Sequence, residues 1–133
     1  MPGRASRSVW ILSLNRSRPP LPRQVRRLAE DALGVYGSLD ALINNASVFR
    51  PTLLDSVSEL DWQSVFSTNL RAPFFLAQHL HAALKKRQGS IINIVDIYAR
   101  KPLPGFSLYS VSKAGLEAMT MSLAMEMAPD VRV

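Results

Sequence analysis

The chain has 133 residues, 47% of them hydrophobic and 20% charged, which describes a folded domain able to bury a core and argues against a disordered segment. It has no cysteine, so neither a disulfide framework nor a thiolate metal site is available. The net charge of +6 is local: residues 1–27 carry seven arginines and no acid, while the remaining nine basic residues face ten acids. That is not the basic-and-aromatic pattern of a nucleic-acid groove, and no apolar run approaches the length of a membrane span.

Residues 1–20 read as a basic arm with one strand-like run, Val9-Trp10-Ile11-Leu12-Ser13-Leu14, followed by Asn15-Arg16-Ser17. Acid-free Arg/Ser starts occur in organelle transit peptides, but no amphipathic helix precedes Pro19-Pro20, so a cytoplasmic protein is expected. From Pro22 the apolar residues Val25, Leu28, Ala29, Ala32, Leu33 and Tyr36 recur at helical spacing, with Gly37 as the stop. Leu39–Ile43 reads as a short strand running into the small-residue turn Asn44-Asn45-Ala46-Ser47.

Ser56-Val57-Ser58-Glu59 has the form of a capping box, predicting a long helix through Trp62, Phe66, Leu70, Phe74, Ala77, Leu80 and Leu84. Inside it, Pro73 removes the hydrogen bond to the Asn69 carbonyl, so a local distortion is expected there. His79 and His81, two apart, face different ways and do not suggest a shared metal. Lys85-Lys86-Arg87 suit the helix's negative end, and Gly89 ends it. Ile91-Ile92-Asn93-Ile94-Val95 reads as a buried parallel strand with Asp96 at its carboxyl end, where open α/β sheets bind ligands. After the loop Arg100–Gly105, a helix from about Phe106 to Ala128 is apolar on several faces, and is expected to bury more than one. Val131-Arg132-Val133 starts a further strand.

Candidate chemistry converges on Asp96, Tyr109 and Lys113. Tyr109 and Lys113 lie one helical turn apart on one face, and an ammonium beside a phenol lowers the phenol's pKa from about 10. A tyrosine so tuned exchanges a proton with a carbonyl, imine or alcohol.

A strand, a polar residue at its end, then Tyr-x-x-x-Lys opening a long apolar helix resembles the short-chain dehydrogenase/reductase family over roughly Val25 to Val133. Most members have Ser where this chain has Asp96. The Asp, together with Asn44-Asn45-Ala46-Ser47-Val48-Phe49, resembles the pteridine reductase branch. The resemblance implies an α/β fold, a partial Rossmann-like, doubly wound parallel sheet with flanking helices over residues 21–133. It implies NADPH as cofactor, with Arg16 and Ser17 at its 2′-phosphate and Asn44, Asn45, Ala46, Ser47, Tyr109 and Lys113 along it. It implies a pterin-like substrate held by Ser47, Phe49, Asp96 and Tyr109, and Asn69 as part of the proton relay. Hydride transfer to a C=N bond is the expected reaction, with Tyr109 as proton donor and Asp96 steering the proton. A carboxylate near Tyr109 would, however, raise its pKa unless offset.

Two alternatives stay open: a carbonyl or 3-oxoacyl reductase of the same family, and a non-catalytic fragment that binds partner subunits. The resemblance also implies a homo-oligomer formed through the two long helices. None of the six glycines forms the glycine-rich strand-to-helix turn that receives a dinucleotide pyrophosphate, and three strands are the most the sequence offers. The expectation is therefore a shortened member of the family, with weak or no NADPH turnover on its own.

Overall fold

A computed structural model describes residues 9–12 and 20–133. Three strands, β1 (Val9–Leu12), β2 (Ala41–Asn44) and β3 (Ser90–Asn93), form one parallel sheet in that order. Trp10 pairs with Leu42 and Leu42 with Ile91. Parallel neighbours need long crossovers. α1 (Pro22–Tyr36) makes the first, and α2 (Glu59–Phe66) with α3 (Ala72–Lys86) makes the second. α4 (Ser107–Met127) follows β3, and Arg132 then bridges to Ser90 in parallel, where the expected next strand begins.

Local chemistry accounts for the boundaries. Pro22 opens α1, where its missing N–H costs nothing, and Gly37 closes it at φ +65° with its N–H on Leu33 O at 2.8 Å. α2 is capped two residues later than the sequence suggests: the cap is Ser58 rather than Ser56. Ser58 Oγ accepts from Asp61 N at 3.2 Å, and Asp61 Oδ2 accepts from Ser58 N at 3.0 Å. Ser56 instead ends a 3₁₀ turn, Leu54–Ser56, and extended Val57 separates that turn from the helix. Between α2 and α3, Ser67–Arg71 form a π-helical turn, the distortion expected from Pro73.

Leu42 and Ile91 point to one sheet face. There they join Val25 and Ala29 of α1, Leu76, Leu80 and Leu84 of α3, and Leu123 and Met127 of α4 in one buried cluster. The opposite face is uncovered among the described residues. Ile92 and Ile94 are each more than two-fifths exposed, so the expectation of a strand buried on both sides does not hold. The same correction applies to α4. Leu108, Leu116 and Leu123 are buried, but Val111, Met121 and Met125 face outward, because no described element covers that side.

Candidate active site

The carboxyl ends of β2 and β3 bring two loops beside the first turns of α4. Asp96, extended at the end of the β3 run, caps a 3₁₀ turn (Ile97–Ala99) by accepting from Tyr98 N at 3.0 Å through Oδ1. Its other oxygen, Oδ2, accepts the phenolic hydrogen of Tyr109 at 2.7 Å. Lys113, one turn along α4, is 3% exposed and donates from Nζ to the Ile94 carbonyl at 2.7 Å.

This arrangement reverses the expected tuning of Tyr109. Burial, then the Asp96 hydrogen bond and charge, push its pKa up to about 12. Lys113 does not offset this, because its ammonium is turned to Ile94 and lies 5.7 Å from the ring centroid. Burial in turn lowers the Lys113 pKa, against the pull of Asp96. The Tyr98 amide and then the Tyr109 hydroxyl hold Asp96 below the usual carboxylate range. At neutral pH the site therefore holds a carboxylate and a protonated phenol.

Ser47, Val48, Phe49, Asp96, Tyr98 and Tyr109 line a cavity of about 680 Å³, large enough for a small-molecule ligand. Ser47 Oγ is buried without a hydrogen-bond partner, near enough to Tyr109 to temper its rise in pKa. Phe49 is 52% exposed, stacks on Phe106 at 4.6 Å and meets the Tyr109 ring edge-on at 4.7 Å. Tyr98 and Phe106 were not legible as site residues. The usable signal was position, Tyr98 two residues after Asp96 and Phe106 three before Tyr109.

Asn44 is buried, with its amide on Asn93 Oδ1 at 2.7 Å, while Asn93 donates to Thr120 Oγ1 at 2.9 Å. Asn44 thus braces the sheet against α4, leaving exposed Asn45 and half-buried Ala46 at the strand end. Asn69 lies in the π-helical turn and contacts the cavity wall through the backbone of Val48. Arg16 and Ser17 lie outside the described residues.

The residues present fit the nicotinamide end of a dinucleotide. Ser47 and Tyr109 present hydroxyls at the cavity, and buried Lys113 lies one turn along α4 from Tyr109. They do not build a pyrophosphate cradle. Among the described glycines, Gly37 ends α1, Gly89 ends the α3 turn, Gly105 lies in a turn at φ +77°, and Gly34 and Gly115 are inside helices.

A family model described as short chain dehydrogenase matches residues 12–133. The chain is 40% identical over 105 residues to a 3-oxoacyl-[acyl-carrier-protein] reductase of Chlamydia pneumoniae, covering 78% of this chain and 42% of that protein. It is 37% identical over 111 residues to dehydrogenase/reductase SDR family member 4 of Pongo abelii, covering 80% and 40%. Among solved structures, an apo SCOR enzyme from Clostridium thermocellum superposes with a TM-score of 0.79 at 32% identity, covering 83% of this chain and 45% of that one. A blue fluorescent protein from a metagenomic library, in complex with NADPH, gives 0.77 at 36% identity with the same coverage. The chain spans about two-fifths of the length of the curated relatives it matches.

Proposed function

The chain belongs to the short-chain dehydrogenase/reductase family, and from that premise we propose that it is the site-bearing part of a nicotinamide-dependent reductase of a carbonyl, with 3-oxoacyl chains as substrate class. The observation that carries the reaction type is the Tyr109 hydroxyl at the cavity wall, hydrogen-bonded to Asp96 and one helical turn from buried Lys113. The substrate class is supported by relatives named as 3-oxoacyl-[acyl-carrier-protein] reductases, which favour it over the pteridine reading. When bound, the nicotinamide supplies a hydride to the carbonyl carbon. Tyr109 gives its proton to the carbonyl oxygen, and to do so its O–H must turn from Asp96 Oδ2 toward the substrate. Lys113, once turned from Ile94 O, would hold a ribose hydroxyl and stabilise the tyrosinate that remains. Ser47 supplies its free hydroxyl to the cofactor or substrate, and Arg16 with Ser17 would favour NADPH over NADH by charge.

Two features favour pterin as a second reading. Asp96 offers a carboxylate to a ring N–H donor, and Phe49 offers a half-exposed aromatic face. A third reading, a non-catalytic chain that binds partner subunits, is favoured by the lack of a pyrophosphate cradle among the described glycines. It is favoured too by the outward apolar side of α4 and by an apolar groove lined by Phe66, Leu70, Phe74, Met119 and Leu123. Docking of a second copy along α2–α3 and α4 would cover that groove.

The test is a panel of a 3-oxoacyl thioester, a dihydropterin and a simple ketone, each with NADPH and with NADH. Faster reduction of the thioester supports the first reading, and preference for the dihydropterin replaces it with the second. Turnover of none by the chain alone, with the chain found bound to a full-length relative by size-exclusion chromatography, assigns the third.

A further inference from the structure

Val48 separates Ser47 from Phe49, the two residues that form one wall of the cavity, and both of its backbone groups are taken by one side chain. Val48 N donates to Asn69 Oδ1 at 2.7 Å, and Asn69 Nδ2 donates to Val48 O at 3.1 Å. The amide therefore grips the loop as a neighbouring strand would. Its remaining Nδ2 hydrogen goes to Ser112 Oγ at 3.0 Å, and Ser112 donates to the Tyr109 carbonyl at 2.7 Å. Asn69 and Ser112 are 1% and 0% exposed, so water cannot substitute for either contact. A serine bonding back one turn along its own helix is common and accounts for the Tyr109 contact alone. It does not account for the hydrogen bond accepted from Asn69, which closes a polar chain from one cavity wall to the other.

We infer that Ser112 is a positioning residue: through Asn69 it sets the separation between the Ser47–Phe49 wall and the Tyr109 hydroxyl. Removing Oγ leaves an Asn69 hydrogen unpaired in a dry site, and Asn69 then satisfies it only by loosening its hold on Val48. The relevance to catalysis rests on Tyr109 being the proton donor; the coupling itself does not.

The experiment compares Ser112→Ala, Ser112→Thr and Ser110→Ala in the full 133-residue chain by amide hydrogen exchange and by Tyr109 titration. Ser110 is a matched control, buried on the same helix with a hydroxyl that has no partner. Val48 exchange should rise about tenfold in Ser112→Ala, the size of one net hydrogen bond. It should stay unchanged in Ser110→Ala and be restored in Ser112→Thr, which keeps the hydroxyl. The Tyr109 midpoint should fall in Ser112→Ala alone, as the wall relaxes and the phenol becomes better solvated. If Ser112→Ala does not fold, Ser112→Cys takes its place, because a thiol is a weak acceptor and predicts the same loosening at Val48. An unchanged Val48, or equal loosening throughout α4 in both alanine variants, overturns the coupling. Loosening at Val48 with an unaltered rate of carbonyl reduction would instead count against Tyr109 as the donor whose placement matters.

Discussion

Tyr109 gives its phenolic hydrogen to Asp96 at 2.7 Å. The carboxylate and the phenol therefore act as a pair, and their titrations move apart, Asp96 downward and Tyr109 upward to about 12. That pairing makes the site a holder of one proton at neutral pH rather than a ready base.

Replacing Asp96 by serine removes the acceptor and the charge. The Tyr109 pKa is expected to fall from about 12 toward its reference of about 10, with desolvation keeping it somewhat above that value. Titration of ¹³C-labelled tyrosine by NMR measures this directly. A Tyr109 midpoint unmoved by Asp96→Ser would show that burial alone sets it.

The same shift has a consequence for stability. Tyr109 has its pKa raised in the folded state, so the folded chain favours the protonated phenol. Its contribution is fully present below about 10 and is lost as pH rises through about 12. Tyr109→Phe should therefore flatten the fall in urea midpoint over that window relative to the parent chain. The comparison cancels the other groups that titrate there, and parallel curves would refute the linkage.

In turnover, Tyr109→Phe keeps the ring that meets Phe49 and removes only the proton. Reduction of the preferred carbonyl substrate should drop by about 10²–10⁴-fold, the usual worth of a positioned general acid. Cofactor affinity, measured by fluorescence titration, should change little. A loss of binding equal to the loss of rate would place Tyr109 in cofactor holding instead.

Gly89 stands where the end of α3 turns into β3. A Cβ there would meet the Asp40 carbonyl oxygen at 2.7 Å and Leu84 Cδ2 at 3.0 Å. The neighbouring Ser90 N–H bonds that same carbonyl at 3.0 Å, so the backbone cannot simply move away. Gly89→Ala should cost about 1–3 kcal/mol by chemical denaturation, the range for overpacking a tight site. Gly34→Ala is the control, with open space around its Cβ.

The sequence by itself determined the type and order of the elements. Helical spacing from Val25 to Leu33, the Pro22 and Gly37 signals, and the apolar run before Asp96 are local patterns, and local backbone physics reads them without help from the rest of the chain. It also named the residues at the ends of β2 and β3, and the Asn69–Pro73 distortion, because a proline's lost donor is a property of the chain. Even the cap of α2 was legible in kind, since Ser58 and Asp61 repeat the same chemistry two residues on from the one expected. Only the tertiary structure decided which partner each side chain takes. Spacing puts Tyr109 and Lys113 on one helix face, but it is the fold that turns Lys113 to the Ile94 carbonyl and leaves Asp96 beside the phenol. It likewise brought Ser112, which reads in the sequence as a helix residue like any other, within 3.0 Å of Asn69 across the chain. Hydrogen-bond partners are chosen over a few tenths of an ångström and by what is shut away from water, and neither is set until distant segments pack.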